Sequence, residues 1–420
     1  MEFRDRLGRL AFPALFAGLA LSGCAPPQRS ESSLPEGLWT AADGADFWIG
    51  TFPELGEGRF FYDFTSGRLG PVVLDTAGRY AVGAAIGDRT PGGPIPLASA
   101  RRVDVTREEV EFPASGLTLG GTLYRMPSGG RRAAIVLGHG SGPLDRRWFD
   151  LWAHFFAQRG LVVLAYDKRG TGSSGGDWRQ STLEDLAADA HAAIEFLQSR
   201  PEVDGSRVGF WGPSQGGWVG ARLASRVPDL AFLIFHAGPA TTVAEQGLDS
   251  YEGELRAAGL SEADLVPIRA LVELDFAYNR EPSEPAWERL LAARSRAERD
   301  GVAWLPPLEP RDSWFRTFYG RILDFDPRPD LERLRCPLLA FFGEKDLLVP
   351  AAKNRERLAA TLAAGGHPGA EIVTLPAANH LFLRAENGTS AEIPSLSVLT
   401  PRYFAKMADW LQEIGMVERQ

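Results

Sequence analysis

Val208-Gly209-Phe210-Trp211-Gly212-Pro213-Ser214-Gln215-Gly216-Gly217-Trp218 is the stretch on which the reading of this chain turns. An apolar run of strand character leads into a serine with glycine two positions before and two after it, and a helix-like stretch over 218–224 follows. A strand that passes straight into a helix around one residue leaves little room for side chains beside it. The flanking positions therefore fall to glycine, and the central residue takes a strained backbone. The serine hydroxyl is carried alone at a strand end, at the positive end of the next helix. With 46 glycines in 420 residues, this spacing also arises in ordinary loops, so the rest of the chain has to carry the argument.

Outward from this turn the chain alternates between two periodicities. Segments 109–112 and 119–124 read as an opening antiparallel hairpin. Strand 133–137, helix 148–158, strand 161–165, helix 183–198 and strand 208–211 follow, then the helix after Ser214, strands over 232–235, 338–342 and 371–375, and a last helix over 403–414. Such alternation predicts an α/β fold, a mostly parallel sheet flanked by helices. Between 235 and 338 the chain runs about a hundred residues beyond an ordinary crossover, with amphipathic stretches such as 286–299. That predicts a helical cap at about 240–330 over the edge where the strands end. Trp314, Phe315 and Phe318, with Trp304 and Tyr319, are candidates to line an apolar substrate pocket beneath it; packing inside the cap is the alternative role.

The first 105 residues read differently. Arg4, Arg6 and Arg9 head an apolar run, 10–21, that is too short to cross a bilayer. Leu21-Ser22-Gly23-Cys24 resembles the bacterial lipoprotein cleavage box, which implies a signal peptide over 1–23, lipidation of Cys24 and a membrane anchor; a plain secretory signal is the alternative. Ala25 after the cysteine implies, through the same resemblance, the outer membrane if the source is Gram-negative. Residues 24–35 are expected to be a flexible tether. Residues 36–105, with short apolar-polar alternations at 60–64 and 79–82 and no helix-length amphipathic segment, are expected to form a small β-rich domain. Its aromatic residues are expected to be its core. The remainder, 106–420, holds the α/β domain and its cap. Of the two cysteines, Cys336 is expected to be an inert core thiol, and no disulfide is expected.

Composition excludes several partners. A formal net charge of -9 with no long basic run argues against nucleic acid. No His/Cys/carboxylate spacing suits a metal, and Gly170-Thr171-Gly172-Ser173 has no Walker lysine, so neither metal nor other cofactor is expected. Lysines and carboxylates outside the motifs are expected on the solvated surface.

A serine hydroxyl needs a base that can shuttle a proton near neutral pH, and imidazole is that group. Among the six histidines, His380 lies just beyond the strand at 371–375, and His236 ends the strand beside the serine turn. His154 and His191 sit on expected helices and are read as structural. For the acid that orients the base, Gly343-Glu344-Lys345-Asp346 offers Asp346, with Glu344 as fallback.

Taken together, the serine turn, Val136-Leu137-Gly138-His139-Gly140-Ser141-Gly142-Pro143, Tyr166-Asp167-Lys168-Arg169-Gly170-Thr171-Gly172-Ser173, Gly343-Glu344-Lys345-Asp346 and Pro376-Ala377-Ala378-Asn379-His380 resemble the α/β-hydrolase superfamily. Within it the likeness is to bacterial esterases and acyl hydrolases related to prolyl-oligopeptidase and dienelactone-hydrolase enzymes. It covers roughly residue 109 to the C-terminus and leaves the N-terminal β-rich region unexplained. The resemblance implies Ser214 as nucleophile, His380 rather than His236 as base and Asp346 as acid, in the superfamily's chain order. It implies backbone N–H groups of Ser141 and Gln215 as oxyanion donors, with Gly142 as an alternative, and a shaping role for His139. Asp145, Arg146 and Arg147 after that loop read as a solvated loop or helix start, with contact to a polar acyl group as the other possibility.

The expected function is hydrolysis of a small-molecule carboxylic ester through an acyl-enzyme. Peptidase, thioesterase and acyltransferase activities share the same triad. A catalytically silent envelope binding protein is the non-enzyme alternative, against which the retention of a strained serine turn, a distant acid and a distant histidine weighs.

Overall fold

Strands that are apolar on both faces have to be covered on both, and residues 133–137 of the strand Arg132–Leu137, with Val162–Tyr166 and Leu338–Gly343, are of this kind. In a computed structural model the described residues are 36–418, apart from 43, 57, 75–79, 83–94, 97–99 and 128. The signal segment, Cys24, the tether, and Arg79 of the alternation at 79–82 lie outside them.

Seven short strands come first: β1 (Gly37–Thr40), β2 (Asp46–Gly50), β3 (Phe60–Asp63), β4 (Leu69–Leu74), β5 (Tyr80–Val82), β6 (Ile95–Pro96) and β7 (Arg101–Arg102). They form one antiparallel sheet in the order β6-β5-β4-β3-β2-β1-β7. Because side chains alternate along a strand, Trp48 and Tyr62, paired across β2 and β3, point to one face, and Phe47, Ile49 and Phe61 to the other.

The second sheet has eight strands: β8 (Thr106–Ala114), β9 (Leu117–Arg125), β10 (Arg132–Leu137), β11 (Val162–Tyr166), β12 (Val203–Pro213), β13 (Leu233–His236), β14 (Leu338–Gly343) and β15 (Ala370–Leu375). Their order is β15-β14-β13-β12-β10-β11-β9-β8, parallel except for the opening hairpin β8–β9 and its pairing with β11. Helices α1 (Asp150–Gln158), α2 (Leu183–Ser199) and α3 (Gln215–Ala224) connect its first half. The strand period of two sorts the core. Ala134, Val136, Phe210, Leu233 and Phe235 pack with α2 and α3, while Ile135, Leu137, Trp211, Phe232 and Ile234 pack with α1 and with the C-terminal helix Pro401–Glu413.

Five helices lie between β13 and β14: α4 (Val243–Ala257), α5 (Glu262–Arg280), α6 (Glu284–Arg299), α7 (Trp314–Ile322) and α8 (Arg328–Arg333). Helices α9 (Ala351–Ala364) and α10 (Pro401–Glu413) complete the chain. Ser/Thr residues cap α4, α5 and α6, with a reciprocal capping box at Thr242/Glu245 and at Ser261/Asp264. Helix α4 rests on the strand-end loop after β14: Gln246 Nε2 and Ser250 Oγ both donate to Leu348 O, at 3.0 and 3.2 Å. The inserted helices therefore stand at the C-terminal edge of the parallel strands, the edge to which the candidate residues belong.

Candidate active site

Gly212 and Gly216 show why the serine turn is written as it is. A Cβ on Gly212 would meet Gly216 O at 2.2 Å, and one on Gly216 would meet His139 O at 2.9 Å. Between them Ser214 has φ 50 and ψ -118, a conformation costing about 1–3 kcal/mol that packing on both sides must hold. Its N–H donates to His236 O at 2.8 Å. Helix α3 starts at Gln215, so the serine stands at a helix N-terminus.

Asp346 follows β14 and is buried. Its Oδ1 accepts from the backbone N–H groups of Leu348 and Val349, at 2.9 and 2.8 Å, and its Oδ2 accepts from His380 Nδ1 at 2.8 Å. Both carboxylate oxygens are satisfied, which fixes the carboxylate plane and orients the imidazole. The His380 side chain retains 16% of its exposure while that of Asp346 has none, so the pair has a buried end and an open end. Glu344, the fallback acid, instead accepts from Ala377 N at 2.8 Å and stays exposed.

His236 is in a different environment. It is buried, stacked on Phe382 at 3.9 Å, and its imidazole hydrogen-bonds the backbone of His380. Its Nδ1 lies 3.0 Å from Tyr403 Oη, which accepts from the indole N–H groups of Trp211 and Trp152 at 2.9 and 3.2 Å. With its oxygen occupied by two indole donors, the Tyr403 hydroxyl has its proton left for Nδ1, which places the His236 proton on Nε2. Burial pushes its pKa well below the usual range. A neutral ring locked at both nitrogens braces the His380 loop and has no free nitrogen for proton shuttling.

The loop after β10 is held from behind. His139 Nε2 bonds Tyr166 O at 2.7 Å, and burial lowers its pKa to about 3, so the ring is neutral and donates to that carbonyl. Arg146 grips Asp167 with backbone and guanidinium N–H groups at 2.9–3.1 Å. The helix-start reading of Asp145 holds, since its side chain caps the 3-10 turn at Arg147 N; Arg146 is an ion-paired clamp on the neighbouring turn.

Lys168, inside the glycine-rich turn at 166–173, holds a place to which the sequence reading assigned no role. Its side chain is buried, and Nζ donates to Gly140 O at 2.9 Å, Gly142 O at 3.2 Å and Gln215 Oε1 at 3.0 Å. Burial draws the ammonium down to about 7. Sequence reasoning missed this residue because a lysine in a glycine-rich turn is solvated by default. The available signal was its place between Asp167 and Arg169, both of which turn out to be fixed by ion pairs of their own.

The aromatic candidates of the cap divide. Trp304 is packed into the cap's own core with Leu255, Leu260, Leu265 and Ile268. Phe318 and Tyr319 are buried in the main core, and Phe315 packs partly against it. Trp314 is 41% exposed and stands edge-on to Trp178 at 5.2 Å. Among the described residues, no group of three or more His, Cys, Asp or Glu side chains is arranged to hold a metal ion. Cys336 is a free, half-buried thiol, pushed up to about 12 by burial.

Comparison with known proteins gives the same superfamily. The family described as Hydrolase_4, serine aminopeptidase, S33, matches residues 129–268. A polyketide transferase of Gibberella fujikuroi is 30% identical over 237 residues, 55% of this chain and 70% of that protein. The chain belongs to the α/β-hydrolase superfamily. An uncharacterized protein of Mycobacterium tuberculosis is 34% identical over 159 residues, 38% of this chain and 54% of that protein, so this α/β-hydrolase spans about half the length of that relative. A solved esterase of Pyrococcus furiosus is similar at 16% identity with a TM-score of 0.46, over 73% of this chain and 91% of that one.

Proposed function

We propose that this α/β-hydrolase is a serine hydrolase that cleaves carboxylic esters, with Ser214 as nucleophile, His380 as base and Asp346 as the acid that orients it. The observation that carries the reading is the Asp346–His380 hydrogen bond, at 2.8 Å, on the same sheet edge as a serine held at positive φ. His380 takes the Ser214 hydroxyl proton as Oγ attacks the acyl carbonyl, and the oxyanion forms against the backbone N–H groups of Ser141 and Gln215. Collapse expels the alkoxide, which takes the proton from His380. Water, deprotonated by the same imidazole, then attacks the acyl-enzyme and releases the acid.

An ester suits the site better than a peptide. An alkoxide leaves with little assistance, whereas a peptide has to be held in register while its amine is protonated. The N-terminal segment, 36–105, is too small for the several four-stranded blades of a propeller that could enclose a peptide; its sheet packs on α1 and α10 and borders the loop after His380. A second reading follows from the polyketide transferase among the relatives: the same acyl-enzyme can be loaded from a thioester or passed to another nucleophile.

The test is turnover of p-nitrophenyl acyl esters, acyl-CoA thioesters and aminoacyl amides by the full chain. Esters are expected to be favoured, and Ser214→Ala is expected to abolish both turnover and fluorophosphonate labelling. A specificity constant for amides above that for esters of comparable acyl group overturns the ester assignment. Labelling that survives Ser214→Ala overturns the nucleophile.

The lipoprotein-like box at 21–24 supports a cell-envelope location through a lipid on Cys24, in the outer membrane if the source is Gram-negative. Among the described residues no helix is long and apolar enough to cross a membrane. Cys24→Ala is expected to abolish palmitate labelling and membrane retention in the producing bacterium; an unchanged membrane fraction removes this reading.

A further inference from the structure

Lys168 is the second residue after β11, yet it does not do what its neighbours do. Asp167 is neutralised by Arg146, and Arg169 forms a bidentate pair with Asp189 at 2.6 and 2.7 Å. Among the described residues, Lys168 has no carboxylate partner within ion-pair distance. Its three N–H donors instead meet three neutral oxygens, Gly140 O, Gly142 O and Gln215 Oε1. Trp178 covers it, with Nζ 5.3 Å from the ring centroid, and Trp178 is in turn packed by Phe318 of the cap. A buried charge is costly unless its hydrogen-bonding capacity is filled, and here it is filled by acceptors that belong to two particular loops.

Those acceptors matter because of the peptide plane. The Gly140 carbonyl and the Ser141 N–H belong to one amide, and no peptide bond among the described residues is cis. In a trans amide the C=O and N–H point in opposite directions, so drawing Gly140 O onto the ammonium turns the Ser141 N–H away from Lys168. The positive φ of Gly142, 92°, keeps the loop turned so that a second carbonyl reaches the same cation. On the other side the ammonium holds the side chain of Gln215, the residue whose backbone N–H starts α3 beside Ser214. It also fixes which way that side-chain amide faces, since Nε2 against an ammonium would place donor against donor.

We infer that Lys168 is the positioning residue of the oxyanion hole: one buried ammonium, bonded to the Gly140–Ser141 amide, to Gly142 O and to the Gln215 side chain, sets the direction of the Ser141 N–H and ties its loop to the residue that supplies the second donor. The inference rests on the serine-hydrolase reading and deepens it. A cation on the carbonyl side of an amide also polarises its N–H, making it a stronger donor. In a water-poor site a positive charge behind the donors stabilises the developing oxyanion more than the neutral ester carbonyl. Lys168 acts through these groups and leaves the proton shuttle to His380.

The experiment compares the full-length protein with Lys168→Met and Lys168→Gln on one p-nitrophenyl ester, and measures inhibition by an aryl boronate, whose adduct with Ser214 places an oxygen in the hole. Lys168→Met is expected to lower kcat by about 10²-fold, the size of effect seen on removing an oxyanion donor, with KM within about threefold and boronate affinity falling in step with kcat/KM. Lys168→Gln, which keeps hydrogen-bond donors without the charge, is expected to lie between Met and wild type. Should Lys168→Met show no cooperative melting transition, the kcat and boronate values of Lys168→Gln decide alone. Retention of kcat within about threefold by the folded variants, or a loss of kcat with boronate affinity unchanged, overturns the role of Lys168. Turnover by Ser214→Ala overturns instead the reading on which it rests, and the two failures are read in separate proteins.

Discussion

His236 and His380 end neighbouring parts of one sheet edge, and what separates them is how many of their ring nitrogens are committed. His236 has both in use, one to Tyr403 and one to the His380 backbone, whereas His380 commits Nδ1 to Asp346 and keeps an open side. His236→Ala removes a brace and leaves the proposed proton shuttle in place. It is expected to retain fluorophosphonate labelling and a turnover within about tenfold of wild type, while costing about 1–3 kcal/mol because the Tyr403 hydroxyl loses its acceptor in a buried site. Labelling kinetics and a urea titration check both parts; abolition of labelling in a folded His236→Ala protein reverses the assignment of the two histidines. At this scale the sequence was informative about groups that sit on a strand end in a fixed order, Ser214, Asp346 and His380. It was silent on Lys168 and on the Tyr403–His236 pair, because both depend on which loops meet in space, and no spacing along the chain encodes that.

The elements themselves were legible where burial is two-sided or amphipathicity is sustained. The expected helix at 183–198 is α2, Leu183–Ser199, and that at 286–299 is α6, Glu284–Arg299. Differences cluster where the pattern is weak. The opening hairpin extends over Thr106–Ala114 and Leu117–Arg125 because its outer strand is an edge, with glutamates and an arginine facing solvent where an apolar run was sought. The strand before the serine runs over Val203–Pro213, and the helix after it starts at Gln215 rather than at 218, since a turn this tight spends no residues on a loop. Least legible was the segment after His380. Residues 381–400 carry no long run of either period, and they are ordered by contacts from elsewhere: Leu69 N donates to Ser397 O at 2.8 Å, Leu399 N to Gly67 O at 2.9 Å, and Ser390 N to Glu254 Oε1 of α4 at 3.0 Å. The base's loop is thus held on one side by the N-terminal sheet and on the other by the cap.

That arrangement gives the N-terminal sheet a place in the whole molecule that its sequence did not show. A single sheet of this size has an apolar face, and among the described residues of its segment no α-helix covers it. Trp48, Phe60, Tyr62 and Leu69 are buried in the same cluster as Phe155 of α1 and Phe404 of α10, and Trp48 Nε1 donates to Asp150 Oδ2 at 2.8 Å. The sheet is therefore continuous with the hydrolase core, and the 3-10 turn Pro53–Leu55 packs against the turn Ser390–Ser395 of the histidine's loop. Glu54 in that turn has a buried Oε2 with no hydrogen-bond partner among the described residues, and burial raises its pKa to about 7. The sign follows from linkage. Between the unfolded value near 4.5 and about 7 the folded chain binds the proton more tightly, so this site's contribution to stability is greatest at acid pH, declines as pH rises through that window and is constant above it. Glu54→Gln removes the ionisation and keeps the shape. It is expected to stabilise the protein at pH 8 by about 1–3 kcal/mol, visible as a rise in Tm of about 2–4 °C, with the gain shrinking toward zero by pH 4. Thermal melts of both proteins across that range are decisive: a Tm difference that does not change with pH means that Glu54 is already ionised in the fold, and that the junction between the sheet and the histidine's loop supplies it with a partner.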